Sequence, residues 1–204
     1  MNTNPLTYKS TPIFLPINRD VFIEGIKGEL FENKLSELQL ECIDLILYEA
    51  ESQGVWDLRH IAYLFAIAYY YCHNPFKESH DRMTPMHERG TWATLKGKGE
   101  YPYFGRSFSM IHRKSLYRSE GLRMNLDLEY DPDLMLIPKV AANSHVYCMS
   151  NGIYFTRKLS DFISGKMCDY NKAMRIVGET KNRFIVSKYA LQFEYWLRKS
   201  AIDI

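Results

Sequence analysis

The sequence has little of what marks the specialised protein classes. It lacks an excess of charge of either sign: 26 Lys and Arg stand against 24 Asp and Glu in 204 residues, a net charge of +2. No basic run is dense enough to form a phosphate-binding arm, so nucleic acid is not an expected partner. Long apolar runs are missing too. The most apolar segment, Ile61 to Tyr71, is too short to cross a bilayer and runs into His73-Asn74-Pro75, so no membrane insertion is expected. The opening residues MNTNPLTYKSTPIFLP lack a charged region followed by an apolar one, and their prolines break any helix. No export signal is read there, and the expected location is cytoplasmic. Cys42, Cys72, Cys148 and Cys168 form no C-x-x-C pair and read as reduced, mostly buried thiols. Gly97-Lys98-Gly99 lacks the length and strand-to-helix setting of a phosphate loop. There is no internal repeat, no low-complexity linker and no arrangement of a serine or cysteine triad. No cofactor and no metal are called for.

What is present is apolar residues at helical spacing. A hydrophobic fraction of 46% in 204 residues is enough for one domain to bury a core without staples. The expected layout is a proline-punctuated leader over residues 1–20 and a single domain over 21–204. Val21, Phe22, Ile26 and Leu30 recur at helical intervals. Ser36 with Gln39 three residues on forms a capping box opening a second helix through Leu38, Cys42, Leu45, Ile46 and Glu49. Asp57 caps a third, and Arg59 to Ala68 is apolar nearly all round, the pattern of a buried central helix. This core helix is expected from about Asp57 to Tyr71, with Pro75 forbidding further extension. Residues 74–103 read as loop, with a short hairpin or flap over 91–103. Further on, the pattern predicts helix over 107–121, a turn at Asp131-Pro132-Asp133, and a helix opened by Pro138 and ended by Asn151-Gly152. Short helices are expected over 159–165 and 169–177, and an amphipathic one over 183–199. The fold class is mainly α.

The chemistry concentrates in Tyr70 to Gly90. Glu78 and Glu88 lie ten residues apart after the apolar helix. Paired carboxylates suit glycosidic bond cleavage, one protonating the leaving oxygen while the other activates water or attacks the sugar. His73, His80 and His87 recur every seven residues beside Cys72, but across a proline-broken loop that spacing fixes no common face for a metal. Tyr69, Tyr70 and Tyr71 could offer sugar-stacking rings, although at the end of a buried helix they fit better as core.

Several fragments then fall in one order. They are Asp57-Leu58-Arg59-His60-Ile61-Ala62-Tyr63, then Met83, Pro85, Glu88 and Gly90, then Tyr103-Phe104-Gly105-Arg106. Pro132-Asp133-Leu134, Gly152 through Thr156 and Asp169 through Val177 follow. Together they resemble the family 19 glycoside hydrolases, the chitinase and phage-endolysin group. The resemblance implies a lysozyme-like, two-lobed helical domain with a glycan cleft. It also implies inverting hydrolysis of β-1,4-linked N-acetylglucosamine polymers, chitin or peptidoglycan, with carboxylates roughly 6.5–9.5 Å apart. A protein of that kind without an export signal would reach a cell wall through phage lysis or within a virion. Glu88 takes the place of the general base. The acid has two alignments: read back from Glu88 it is Glu78, whereas read forward from Ala62-Tyr63 the position holds Tyr71 and the loop is longer. Tyr103, Arg106, Met110, His112, Tyr117 and Arg175 occupy the substrate-binding positions. Of these, Met110 and His112, like Leu116, stand where the family pattern has glutamine, a hydroxyl residue and asparagine. Val177-Gly178-Glu179 replaces a further cleft amide. The implied function is a glycan-directed domain whose catalysis is impaired, or a non-catalytic relative that binds, inhibits or assembles with a protein partner.

Overall fold

The computed structural model describes residues 8–9, 16–73, 82–88 and 102–202; Pro75, Glu78, His80 and Gly97-Lys98-Gly99 lie outside them. Among the described residues are seven α-helices: α1 (Arg19–Leu30), α2 (Glu37–Ser52), α3 (Leu58–Tyr71), α4 (Lys114–Met124), α5 (Pro138–Asn151), α6 (Tyr170–Ala173) and α7 (Arg183–Ser200). Three two-residue strands, β1 (Tyr8–Lys9), β2 (Ile163–Ser164) and β3 (Met167–Cys168), pair antiparallel in the order β1-β3-β2. The mainly helical class expected from periodicity is therefore correct. None of the described helices is long and apolar enough to cross a membrane.

The centre of the fold is α3, buried without interruption from Leu58 to Tyr69 except for His60. Its neighbours explain why every face is apolar. Phe65 meets Phe22 of α1 and Phe193 of α7, with ring centroids 5.5 and 5.3 Å apart, and Tyr69 meets Phe193 at 5.8 Å. Each such ring, fully removed from water, stabilises the fold by about 1.5–3 kcal/mol. The helix starts where expected, with the Asp57 carboxylate accepting the Arg59 backbone N–H at 3.0 Å. It also ends where expected, at Tyr71. The Arg59 guanidinium is buried against that same carboxylate, 2.6 Å from it, and donates to the Gly165 carbonyl at 3.0 Å.

Caps set the other boundaries. Ser36 and Gln39 bond reciprocally, at 3.2 and 2.9 Å, to open α2. Pro138 supplies the first turn of α5, and Gly152 closes it in the left-handed region (φ +72°), which a side chain would strain. Val21 and Leu38 face outward rather than joining the core. All four cysteines are free and buried; burial pushes the Cys42 and Cys148 thiols up to about 12, leaving them unreactive at neutral pH.

One expected helix is shortened and another is replaced by other structure. Over 107–121 only the second half is helical, because Ser107, Met110 and Arg113 have φ of +75°, +53° and +74°, outside the helical region. Residues 106 and 111 instead pair as an isolated antiparallel bridge. Over 159–165 the chain makes one 3-10 turn, Leu159–Asp161, and then enters β2, turning at Gly165 (φ +53°) into β3. Residues from the leader pair with the domain: β1 lies on β3, Asn18 N–H donates to the Ser200 carbonyl at 2.6 Å, and Ile202 N–H donates to that of Pro16 at 3.2 Å.

Candidate functional site

The segment carrying Glu88 hangs from the end of α3. Arg82 donates to the Tyr69 carbonyl at 3.1 Å and stacks over the Tyr69 ring at 4.2 Å, while the Gln39 amide donates to the Arg82 carbonyl at 2.8 Å. Met83 then enters the core. These anchors fix residues 82–88 without regular structure, and they deliver Glu88 to the 103–113 loop.

Glu88 is clamped at two points by one glycine. Its backbone N–H donates to the Gly105 carbonyl at 2.6 Å, and its carboxylate accepts the Gly105 N–H at 3.1 Å. A Cβ on residue 105 would sit 3.0 Å from the Glu88 Cβ and 3.1 Å from that of Met110, tight enough that a side chain there would push one of them aside by a few tenths of an ångström. A carboxylate receiving a backbone N–H is held in one orientation, which a general base or a ligand-binding acceptor requires.

Arg106 and Tyr117 frame that loop from beneath. Arg106 is 3% exposed; its Nε donates to Asp133 at 2.7 Å, and Nη1 donates to the carbonyls of Pro102 and Phe104 at 2.9 and 3.2 Å. The guanidinium also lies 4.0 Å over the Phe104 ring. Tyr117 is fully buried, its hydroxyl donating to the Phe104 carbonyl at 2.8 Å, and burial pushes its pKa up to about 12. With these groups committed to backbone carbonyls, Arg106 and Tyr117 hold the loop. Tyr103 likewise spends its hydroxyl on the Glu129 carbonyl at 3.0 Å. Met110 is half-buried beside Gly105. His112 places Nδ1 3.1 Å from the Met110 carbonyl, which can only accept, so the proton resides on Nδ1. Arg175 is exposed on the 3-10 turn Met174–Val177.

Tyr71 closes α3 with its hydroxyl donating to the Glu179 carboxylate at 2.9 Å, and Asn182 donates to the other carboxylate oxygen at 2.9 Å. Burial, and then the negative charge of Glu179, hold the Tyr71 hydroxyl well above its ordinary pKa. As a proton donor at neutral pH it is very poor. Of the three histidines, His87 packs its ring 5.5 Å from Phe104. No group of three metal-ligating side chains occurs among the described residues.

Thus Glu88, Tyr103, Arg106, Met110 and Tyr117 gather around one loop, while Tyr71 belongs to a separate pair with Glu179. Sequence reading missed three contributors. Asp133, read as a turn residue and as part of the Pro132-Asp133-Leu134 fragment but given no place in the site, is the Arg106 partner. Glu179, noted only as a lost amide, is the Tyr71 partner. Beneath the loop lies a buried relay: Tyr154 hydrogen-bonds Ser109, Ser109 lies 3.1 Å from His145 Nδ1, and His145 Nε2 lies 3.0 Å from the Leu64 carbonyl. The only advance signal for it was a lone histidine on the apolar side of α5. No family model matches the sequence, and no curated protein matches it.

Proposed function

We propose that this chain is a glycan-directed domain of the family 19 glycoside hydrolase type in which hydrolysis is impaired and the fold serves binding or assembly. The observation supporting this reading is Tyr71. It ends α3, where one alignment puts the general acid, and its hydroxyl is tied to Glu179 at 2.9 Å. Inverting hydrolysis needs a carboxylic acid that is protonated near working pH, and a phenol raised above its ordinary range cannot supply that proton. Glu88, held by Gly105, remains as an oriented acceptor. Met110 beside it offers a sugar an apolar surface where an amide would have bonded it. Each hydrogen bond forgone to a neutral sugar weakens binding by about 0.5–1.5 kcal/mol, so chitin oligomers should bind weakly or not at all.

The test is reducing-end release from chitin oligomers and from peptidoglycan by the full chain and by Glu78→Gln and Glu88→Gln. No release above blank is expected from any of the three. Turnover by the unaltered protein that vanishes in both variants would restore the active inverting hydrolase, with Glu78 as acid. Calorimetry with the same oligomers reads binding separately; micromolar affinity lost in Glu88→Gln would refute the weakened site.

A further inference from the structure

Two helices carry solvent-facing stripes that complement each other in charge. On α2, four Glu and one Asp occur among 16 residues with no Lys or Arg. Glu37, Leu40, Glu41, Asp44, Leu45 and Tyr48 line one shallow recess on its outer face. Their spacing of three and four residues places them in a single helical row. Tyr48 is 60% exposed, and only Asp44 among these acids is bonded to a cation, Arg19 of α1. Within α7 the balance is opposite. Arg183, Lys188, Arg198 and Lys199 face one acid, Glu194, which is buried and bonded to Arg198 at 2.7 Å. Phe184, Lys188, Leu191, Tyr195 and Lys199 recur at i, i+4, i+7, i+11 and i+15, again one row. Phe184 and Tyr195 are 53% and 51% exposed, and the Lys199 ammonium sits 5.7 Å from the Tyr195 ring.

Each row itself carries apolar side chains and charges of one sign, with one opposite charge beside it, Arg19 on Asp44 and Glu29 on Gln192 and Trp196. The lengths match: 16 and 18 helical residues span about 24 and 27 Å. Glu37, Glu41 and Tyr48 of the first row and Phe184, Lys188, Tyr195 and Lys199 of the second are exposed, with Leu40, Leu45 and Leu191 half-buried between them, so the rows do not cover one another within one molecule. We propose that the occupant of the α2 row is the α7 row of a second copy of this chain. Apolar contact of Tyr48 and the open edges of Leu40 and Leu45 with Phe184, Tyr195 and the open edge of Leu191 supplies the adhesion. The negative charge of Glu37 and Glu41 and the positive charge of Lys188 and Lys199 set orientation without pairing residue by residue. Because two different surfaces meet, the contact is head-to-tail, and repetition gives a ring or an open row of subunits. A single helix-on-helix contact lies at the small end of interface sizes, which places the association in the micromolar range or weaker. This inference does not rest on the glycan reading.

Sedimentation velocity of the full chain over about a hundredfold concentration range tests it. Expected is reversible association that weakens as salt shortens the reach of the charges. Glu37→Lys with Glu41→Lys, and separately Lys188→Glu with Lys199→Glu, should each weaken self-association by about tenfold or more. All four residues are exposed, so the far-ultraviolet circular dichroism should be unchanged. An equimolar mixture of the two double variants should associate again, because each reversed stripe then finds an opposite one. A chain that stays monomeric throughout, double variants that associate like the parent, or a mixture that does not recover would each overturn the proposal.

Discussion

Acid should undermine this fold through His145. The side chain is fully buried, its Nε2–H held by the Leu64 carbonyl at 3.0 Å and its Nδ1 3.1 Å from Ser109 Oγ. A carbonyl can only accept, so the proton is on Nε2 and Nδ1 accepts from the serine. Charging the ring would need a second proton on Nδ1, a reversed serine and a cation with no water around it. Burial accordingly pulls the His145 pKa from 6.5 down to about 4. An unfolded chain takes up that proton near 6.5, and the folded one resists until about 4. The unfolded state therefore gains ground as pH falls through this window, and the loss levels off below it. The displacement corresponds to about 3 kcal/mol, a large part of the 5–15 kcal/mol by which domains are usually stable. Urea denaturation of the native protein and of His145→Gln, measured between pH 7.5 and 4, isolates the effect from the carboxylates. The native protein should lose about 3 kcal/mol more than the variant across that range, and the variant should be the less stable at pH 7.5. Parallel curves for the two proteins, or a histidine ring protonated on Nδ1 at neutral pH by nitrogen NMR, would refute the reasoning.

Two further outcomes follow from the loop and the pair beside it. Gly105→Ala puts a methyl group against Glu88 and Met110 and should lower stability by about 1–3 kcal/mol in thermal denaturation, with broadened resonances around Glu88. Tyr71→Phe removes a hydrogen bond to a charged group and should destabilise by about 1.5–3 kcal/mol; because Glu179 then has only Asn182, Tyr71→Phe combined with Glu179→Leu should do less harm than the two single changes summed.

The parts of the fold that could be read in advance are those whose causes are local. An unbroken apolar run, a capping aspartate and a chain-breaking proline beyond Tyr71 were enough to bound α3. The Ser36–Gln39 box and the Pro138–Gly152 pair marked α2 and α5 because each is a cap that forms within a few residues. The 103–113 loop was illegible for the opposite reason. Its direction depends on left-handed conformations at Ser107, Met110 and Arg113, and none of those residue types announces one. Two-residue strands such as β2 and β3 are too short to display a period. Of the site, Glu88 was read from its neighbours in the chain, and Tyr71 from the alignment that runs forward from Ala62-Tyr63 and leaves the buried helix unbroken. Their partners escaped notice because they are distant in sequence: Asp133 lies 27 residues from Arg106, and Glu179 lies 108 from Tyr71. Pairing across such separations is decided by packing, which composition and spacing do not encode.

The three left-handed residues also fix how this loop can yield. For a side-chain-bearing residue the left-handed region is unfavourable by roughly 1–2 kcal/mol, so Ser107, Met110 and Arg113 together load the loop like a bent spring. The bend is locked at both ends by the reciprocal bonds between Arg106 and Ile111, 3.0 and 2.8 Å long, and from below by Arg106 and Tyr117. No single residue can relax alone. The loop is therefore held in one shape by the sum of its bonds, and in that shape the carboxylate of Glu88 presents a single fixed face.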